Sequence, residues 1–496
     1  MAKKKVIVIG AGFSGISSAA YLAKEGFAVT VLEKNSIPGG RARNFTSNGF
    51  TYDMGPSWYW MPDIFESFFA DFNRKVSDYY ELERLDPAYK IFFGDHEVKL
   101  PASIEGIYEL YEQIEPGSSK NLKVFLKEAE YKYRIGIGEF VHKPSHSMSE
   151  YMSWKILRAG LKLNMFSSFA SYTNKYFKSP TIRRMLEFPV LFLGGTADTT
   201  PALYSLMNYS DMVQGTWYPK GGMFKVVEAM VKVAEELGVE FIYNAEVDHI
   251  SINNGRVTSV NAQDKAFEVD HLIATGDYQF IEQKLLPAEY RKYSADYWDK
   301  RVLSPSSMIF YLGFNTRIPE LEHHTLLFDE DFEEHAKSIY DNPSWPDRPS
   351  IYVSCTSRTD SSVAPQGHEN VMILIPVAPG LNDSDEIRMK YYNHVIMRLE
   401  RYTGRKLKDN IVYQRIYAHR DFETDYHAFK GNAYGLANTL LQTAFLKPKM
   451  RNSKISNMLF AGQLTVPGPG VPPAIISGEM AAKEIIKSQP VKHLAV

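Results

Sequence analysis

The chain of 496 residues holds one cysteine, Cys355, which excludes an internal disulfide and any thiolate-bound metal cluster and fits a reducing cytoplasm. A lone thiol is more often packed and inert than nucleophilic. Net charge is also scarce. The 56 basic residues nearly cancel the 58 acidic ones, and no lysine-arginine stripe interleaved with aromatics occurs, so nucleic acid is not an expected partner. No apolar run approaches the roughly 20 residues of a membrane-spanning helix. The lysines at the start precede an apolar run, as in a secretory signal, but that run enters a glycine loop instead of a small-residue cleavage site. His323-His324 and the pair His142 and His146 lack a third ligand at metal-binding spacing and read as loop histidines, so no metal site is expected. No G-x-S-x-G paired with a helix and a later histidine supports hydrolysis.

Aromatic side chains are plentiful instead, with Tyr 31, Phe 29 and Trp 6 in a chain 44% hydrophobic and 23% charged. That composition suits a folded protein with a large apolar ligand. One core rarely supports more than about 250–300 residues, so two closely packed domains are expected.

Val6-Ile7-Val8-Ile9 is a β-branched run of the kind buried on both faces of a parallel sheet. It leads into Gly10-Ala11-Gly12-Phe13-Ser14-Gly15, a G-x-G-x-x-G, then a helical segment through Lys24 and a second strand, Val29 to Leu32, ending at Glu33. In such a unit Gly10 makes the tight turn, Gly12 lets backbone N–H groups approach a pyrophosphate, and Gly15 lets helix and strand pack closely. Glu33 is placed to bind the two ribose hydroxyls and to repel a 2′-phosphate. NAD and FAD share this loop.

Later segments separate the two. Ile37-Pro38-Gly39-Gly40-Arg41-Ala42-Arg43 and the stretch Tyr52 to Trp58, "YDMGPSW", resemble the two-dinucleotide-binding flavoproteins of the amine oxidase and carotenoid desaturase type. The resemblance implies FAD, with Gly39, Gly40 and Arg41 at its diphosphate and Val247 against its adenine. It adds Phe13, Ser14, Lys34, Gly55, Pro56, Ser57, Gly276, Asp277, Gly462 and Gln463 as cofactor residues. The stretches Gly238 to Ile250 and Asp270 to Asp277 read as strands returning to the sheet, and Asn457 to Gln463 as the last strand. The dense turn Val466-Pro467-Gly468-Pro469-Gly470-Val471-Pro472-Pro473 then opens a helix near Pro472 or Pro473, where proline is tolerated. Its N-terminus, with Gly470, Val471 and Pro472, would face the flavin's pyrimidine edge, which becomes negative on reduction.

The resemblance narrows at Phe188 to Met230, which contains "GTWYPKGGM", and at Met54 to Phe69, Ser362 to Pro379 and Val466 to Ala482. Together these are similar to the bacterial phytoene desaturase family of carotenoid desaturases and isomerases. They imply an FAD-dependent desaturase, converting CH2–CH2 units of a linear C40 polyene by hydride transfer to flavin N5 and proton loss. The family's histidine before the final turn is absent here, where Val466-Pro467-Gly468 stands. Two alternatives are a carotenoid isomerase or a desaturase of a hydroxylated or cyclised carotenoid, and a flavin-free prenyl-lipid chaperone. Oxygen or a membrane quinone is the expected final electron acceptor.

The expected fold is α/β: a Rossmann-like FAD domain (1–80, 216–300 and 441–496) with an interleaved α+β substrate domain (81–215 and 301–440). Trp58, Trp60 and Trp217, with Tyr59, Met61, Phe65, Phe68 and Phe69, are candidate walls for the polyene. From Tyr151 to Leu186 every charged residue is basic, and apolar residues from Leu157 to Tyr172 recur at helical spacing. This predicts a membrane-docking helix over 155–177, ended by Pro180, and a cytoplasmic protein peripheral on the inner face of the membrane. No residue stands out as a base; Asp198, Asp211, His419 and Asp421 are the candidates.

Overall fold

The structure is a computed structural model and describes residues 3–145, 147, 150, 164, 167–439 and 442–488. A five-stranded parallel sheet has the order Met458–Phe460, His271–Ala274, Lys5–Ile9, Ala28–Leu32, Glu240–Ile242. Ile9 lies level with Ala274 on one side and Leu32 on the other. All the strands run the same way, so Gly10, Glu33, Gly276 and Gly462 gather just beyond their carboxyl ends. That edge is where open α/β sheets bind ligands.

Helix Phe13–Lys24 packs on the sheet and is buried along almost its whole length. The C-terminal helix Val471–Ser488 lies against it. Small residues permit this approach: a Cβ on Gly478 would collide with the Ser14 carbonyl oxygen, and Ser17 Oγ donates to Ile475 O at 2.8 Å. The two ends of the chain are thereby joined at one sheet edge.

A seven-stranded mixed sheet has the order Ile411–Tyr417, Ser306–Phe314, Glu369–Val377, Ile351–Ser354, His324–Leu327, Tyr89–Phe92, Glu97–Leu100. Ser306–Phe314 is buried at every position. Near-continuous burial on both faces marks it as the centre of a second layered unit.

Four expectations change. Val247–Asn253 pairs in a separate three-stranded antiparallel sheet, and only Glu240–Ile242 of its segment joins the parallel sheet. Pro180 opens helix Pro180–Glu187 at its first turn, where its missing N–H costs nothing. The helix expected over 155–177 is not continuous where described: a short helix, Phe169–Thr173, starts at a Ser168 cap, and Phe169 and Tyr172 are buried against protein. Residues 155–163, 165 and 166 lie outside the described residues. His323 and His324 are buried, His324 within a strand, and burial pushes both imidazoles well below their usual range.

Candidate functional site

The glycine loop is shaped as its spacing predicts. Gly10 has φ +99°, a left-handed turn that favours glycine, and its N–H donates to Leu32 O at 2.8 Å. A Cβ on Gly15 would strike the Gly10 carbonyl oxygen, so glycine there sets how closely helix and loop pack. Gly12, the N-cap of the first helix, differs: a Cβ there finds no atom within 4 Å. Phe13 and Ser14 are buried in the first turn.

The Glu33 carboxylate is 5% exposed and accepts the N–H groups of Ala11 (2.7 Å) and Asn35 (2.8 Å). It is thus fixed at the end of its strand. Lys34 donates to Thr424 O at 2.6 Å. Gly39, at φ +110°, donates to Ala11 O at 2.7 Å, and a Cβ on Gly40 would lie 3.4 Å from Gly12 Cα. The second glycine pair therefore rests against the first loop.

Arg41 donates to Asn432 O at 3.1 Å, while its buried Nε has no partner. Asp277 accepts the N–H groups of Phe280 and Phe429, both at 3.1 Å, and burial pushes its carboxyl up, an effect that Arg41 opposes. Gly276 packs close to Ile281. Val247 is buried just after Ala245, whose N–H donates to Glu33 O at 2.7 Å. At the other chain end, Gly462 has φ +109° and its N–H donates to Ser477 Oγ at 2.9 Å. Gln463 donates to Asn432 Oδ1 at 3.0 Å. Gly470, at φ +114°, precedes the helix that starts at Val471-Pro472.

These residues fit a dinucleotide flavin. Open space over Gly12, a stacked second glycine pair, a fixed carboxylate, an unpartnered guanidinium nitrogen and a helix N-terminus converge at one edge. Glu33 suits ribose hydroxyls, Gly12 with Gly39, Gly40 and Arg41 the diphosphate, and the C-terminal turn the ring.

Two connections here were not legible beforehand. Asp53 accepts the N–H groups of Met223 (2.8 Å) and Phe224 (3.0 Å), capping helix Phe224–Glu236 from far away in sequence. Burial pushes its carboxyl up to about 6. Asn432 ties Arg41 to Gln463. Such long-range partners leave no local signal.

An apolar wall adjoins the edge. The Trp58 ring stacks on His324 with centroids 3.9 Å apart and lies 5.0 Å from Trp60 and 5.9 Å from Phe188. Ser57 and Tyr352 share a hydroxyl hydrogen bond of 2.8 Å. Phe188 and Tyr352 also line an apolar cavity of about 60 Å³ with Leu326, Phe328 and Ile339. The Trp217 backbone N–H donates to Tyr59 O at 3.2 Å, and its ring lies 5.6 Å from the Arg84 guanidinium. Tyr59, Phe65, Phe68 and Phe69 are core: Tyr59 stacks on Phe65 at 4.3 Å, and Phe68 meets Tyr21. Gly55 packs close to the Arg41 carbonyl oxygen, which a Cβ there would strike at 2.5 Å.

The candidate bases are otherwise engaged. Asp211 is buried and accepts from Tyr89 at 2.9 Å and Thr216 at 3.3 Å. His419 Nε2 pairs with Ala378 O, Asp421 pairs with Arg388, and Asp198 is exposed. The buried Cys355 thiol is pushed up by desolvation, which suppresses the thiolate.

Comparison with known proteins agrees with this geometry. The sequence pattern of the family described as flavin containing amine oxidoreductase matches residues 13–486. A carotenoid 3,4-desaturase of Haloarcula japonica is 40% identical, covering 97% of this chain and 98% of that protein. A zeta-carotene-forming phytoene desaturase of Myxococcus xanthus is 29% identical, covering 97% and 94%. Among solved structures, an oxidoreductase from Methanosarcina mazei superposes with a TM-score of 0.62 at 15% identity, over 97% of this chain and 100% of that one, a likeness of fold.

Proposed function

The chain belongs to the flavin-containing amine oxidoreductases, among the carotenoid desaturases, and from that premise we propose that it desaturates a linear carotenoid. Its cofactor is FAD. The observation that carries the reading is the meeting of both chain ends at one strand edge, beside an apolar wall.

The reaction removes two hydrogens from neighbouring carbons next to a conjugated system. FAD, when bound, supplies the hydride acceptor. The chain's residues position and desolvate. Trp58, Trp60 and Phe188 offer apolar surface to a polyene without polar handles, and the buried wall keeps water from the allylic carbons. Gly12, Gly39, Gly40 and Arg41 would hold the diphosphate, and Glu33 would anchor the ribose.

Phytoene is the substrate that the quoted motifs favour. The higher identity to a 3,4-desaturase supports a second reading, in which an already conjugated linear carotenoid is desaturated at its 3,4 position. Anaerobic mixing of FAD-loaded protein with phytoene-containing vesicles separates the two. Flavin bleaching with new polyene bands supports phytoene. Bleaching only with a conjugated linear carotenoid supports the second, and a product of unchanged mass points to isomerisation. No bleaching with either overturns desaturation. Oxygen or a membrane quinone would reoxidise the flavin.

A bilayer-borne substrate supports a peripheral position at a membrane surface, and the single cysteine fits its cytoplasmic side. No described helix is long and apolar enough to cross a membrane. Support comes from the sequence around Lys155, Arg158 and Lys162, which lie outside the described residues. Neutralising these three is expected to lower co-sedimentation with anionic vesicles at low salt severalfold. Unchanged co-sedimentation would remove this docking segment from the account.

A further inference from the structure

Two buried polar atoms without partners meet at the turn before the C-terminal helix. Lys447 is 2% exposed and its Nζ makes no hydrogen bond; Asn438 is 8% exposed and its Oδ1 makes none. Both face one spot, since a Cβ built on Gly468 would lie 3.0 Å from Lys447 Nζ and 3.1 Å from Asn438 Oδ1. Gly468, at φ +137°, lies in the turn between strand Met458–Phe460 and helix Val471–Ser488. Burial alone pushes Lys447 down to about 7, with no carboxylate opposing it. Buried donors and acceptors are satisfied in folded proteins, so this pair calls for a third party.

The spot offers one acceptor and one donor, two residues before the glycine that leads into the helix N-terminus. The pyrimidine end of a flavin presents carbonyl, N–H and carbonyl in a row, which needs an acceptor with a neighbouring donor. We propose that Asn438 and Lys447 bind this edge, Asn438 Oδ1 accepting the ring N3–H and Lys447 Nζ donating to an adjacent ring carbonyl. A cation there favours the reduced ring, on which negative charge accumulates, and adds to the dipole of the C-terminal helix. The inference rests on the FAD assignment and not on the carotenoid, so the two can fail separately.

The test compares FAD with FAD methylated at N3, titrated into cofactor-free protein and followed by flavin fluorescence. Wild type is expected to bind FAD at least tenfold more tightly than the methylated form, and Asn438→Leu to bind both alike. Lys447→Met replaces an unpaired amine by an apolar chain of similar length, so the fold should tolerate it. It is expected to weaken the preference for reduced over oxidised FAD about tenfold, a fall of about 30 mV in the two-electron potential. Lys447→Arg, which keeps the charge, should recover most of that loss. Equal discrimination against N3-methyl-FAD in wild type and Asn438→Leu, with an unchanged potential in Lys447→Met, overturns the proposal and assigns the spot to a buried water. If Asn438→Leu does not fold, the potentials of Lys447→Met and Lys447→Arg decide alone.

Discussion

A methyl group added at Gly12 meets open space, whereas one added at Gly15 strikes the Gly10 carbonyl oxygen and lies 2.9 Å from Thr275 Oγ1. The two positions belong to one motif yet answer to different forces. Gly12→Ala is expected to leave the melting temperature of cofactor-free protein unchanged while weakening FAD binding at least tenfold, about 1.4 kcal/mol. Gly15→Ala is expected to cost about 1–3 kcal/mol of stability before any ligand is added, because the loop must yield. Denaturant melts with and without FAD separate the outcomes; equal destabilisation by both would refute the distinction. Asp211 gives a pH signature. Burial raises its carboxyl to about 7 against an ordinary 3.8, so the folded state holds a proton that the unfolded state releases. Its contribution to stability is present at low pH and is lost as pH rises from about 4 to about 7. Asp211→Asn should therefore gain on wild type between pH 5 and pH 8, by on the order of 2 kcal/mol. A parallel pH dependence in the two proteins would exclude this origin.

Elements were legible in the sequence where a local pattern carries their physics. The run Val6 to Ile9, the glycine loop and the second strand to Glu33 form a unit whose residues lie close in sequence, and the structure follows it with small shifts of boundary. Membership of a sheet is another matter. Val247 reads as a returning strand because it is β-branched and follows Ala245 at the alternating spacing of a strand, but its pairing with Ala262 is set by a neighbouring hairpin. The aromatic run Tyr59 to Phe69 likewise looks like a ligand wall, although packing of Tyr59 on Phe65, Phe69 on Tyr79 and Phe68 on Tyr21 claims most of it for the core. Periodicity counts apolar side chains without saying what covers them. The junction of the terminal helices makes a test at this scale. Gly478→Val puts three carbons where one already collides with Ser14 O, forcing the helices apart. Overpacking of this kind should cost about 3 kcal/mol or more and weaken FAD binding, since the C-terminal turn moves with its helix. Unfolding curves and FAD titration would show both losses together, and a loss of stability alone would separate the helix junction from the turn.

Across the whole molecule, the candidate cofactor residues follow strands that share one sheet but come from the start, the middle and the end of the chain. The seven-stranded sheet is built from the segments between them. Motif reading finds the individual loops, yet the convergence of Gly12, Gly40, Arg41 and Gln463 depends on Asn432 and the parallel register, neither of which has a local signature. The proposed grip of the cofactor by both chain ends should stabilise the entire fold. At 100 times its dissociation constant, FAD adds about 2.7 kcal/mol to a protein that binds it only when folded. Gly12→Ala, near the start, and Gly470→Ala, near the end, should each reduce the FAD-induced rise in melting temperature at fixed FAD, and added FAD should restore it. Gly470→Ala carries a further cost, since its φ of +114° strains any L side chain. If only the N-terminal variant loses the thermal response, the C-terminal turn does not touch the cofactor, and the closure of the site by both chain ends falls with it.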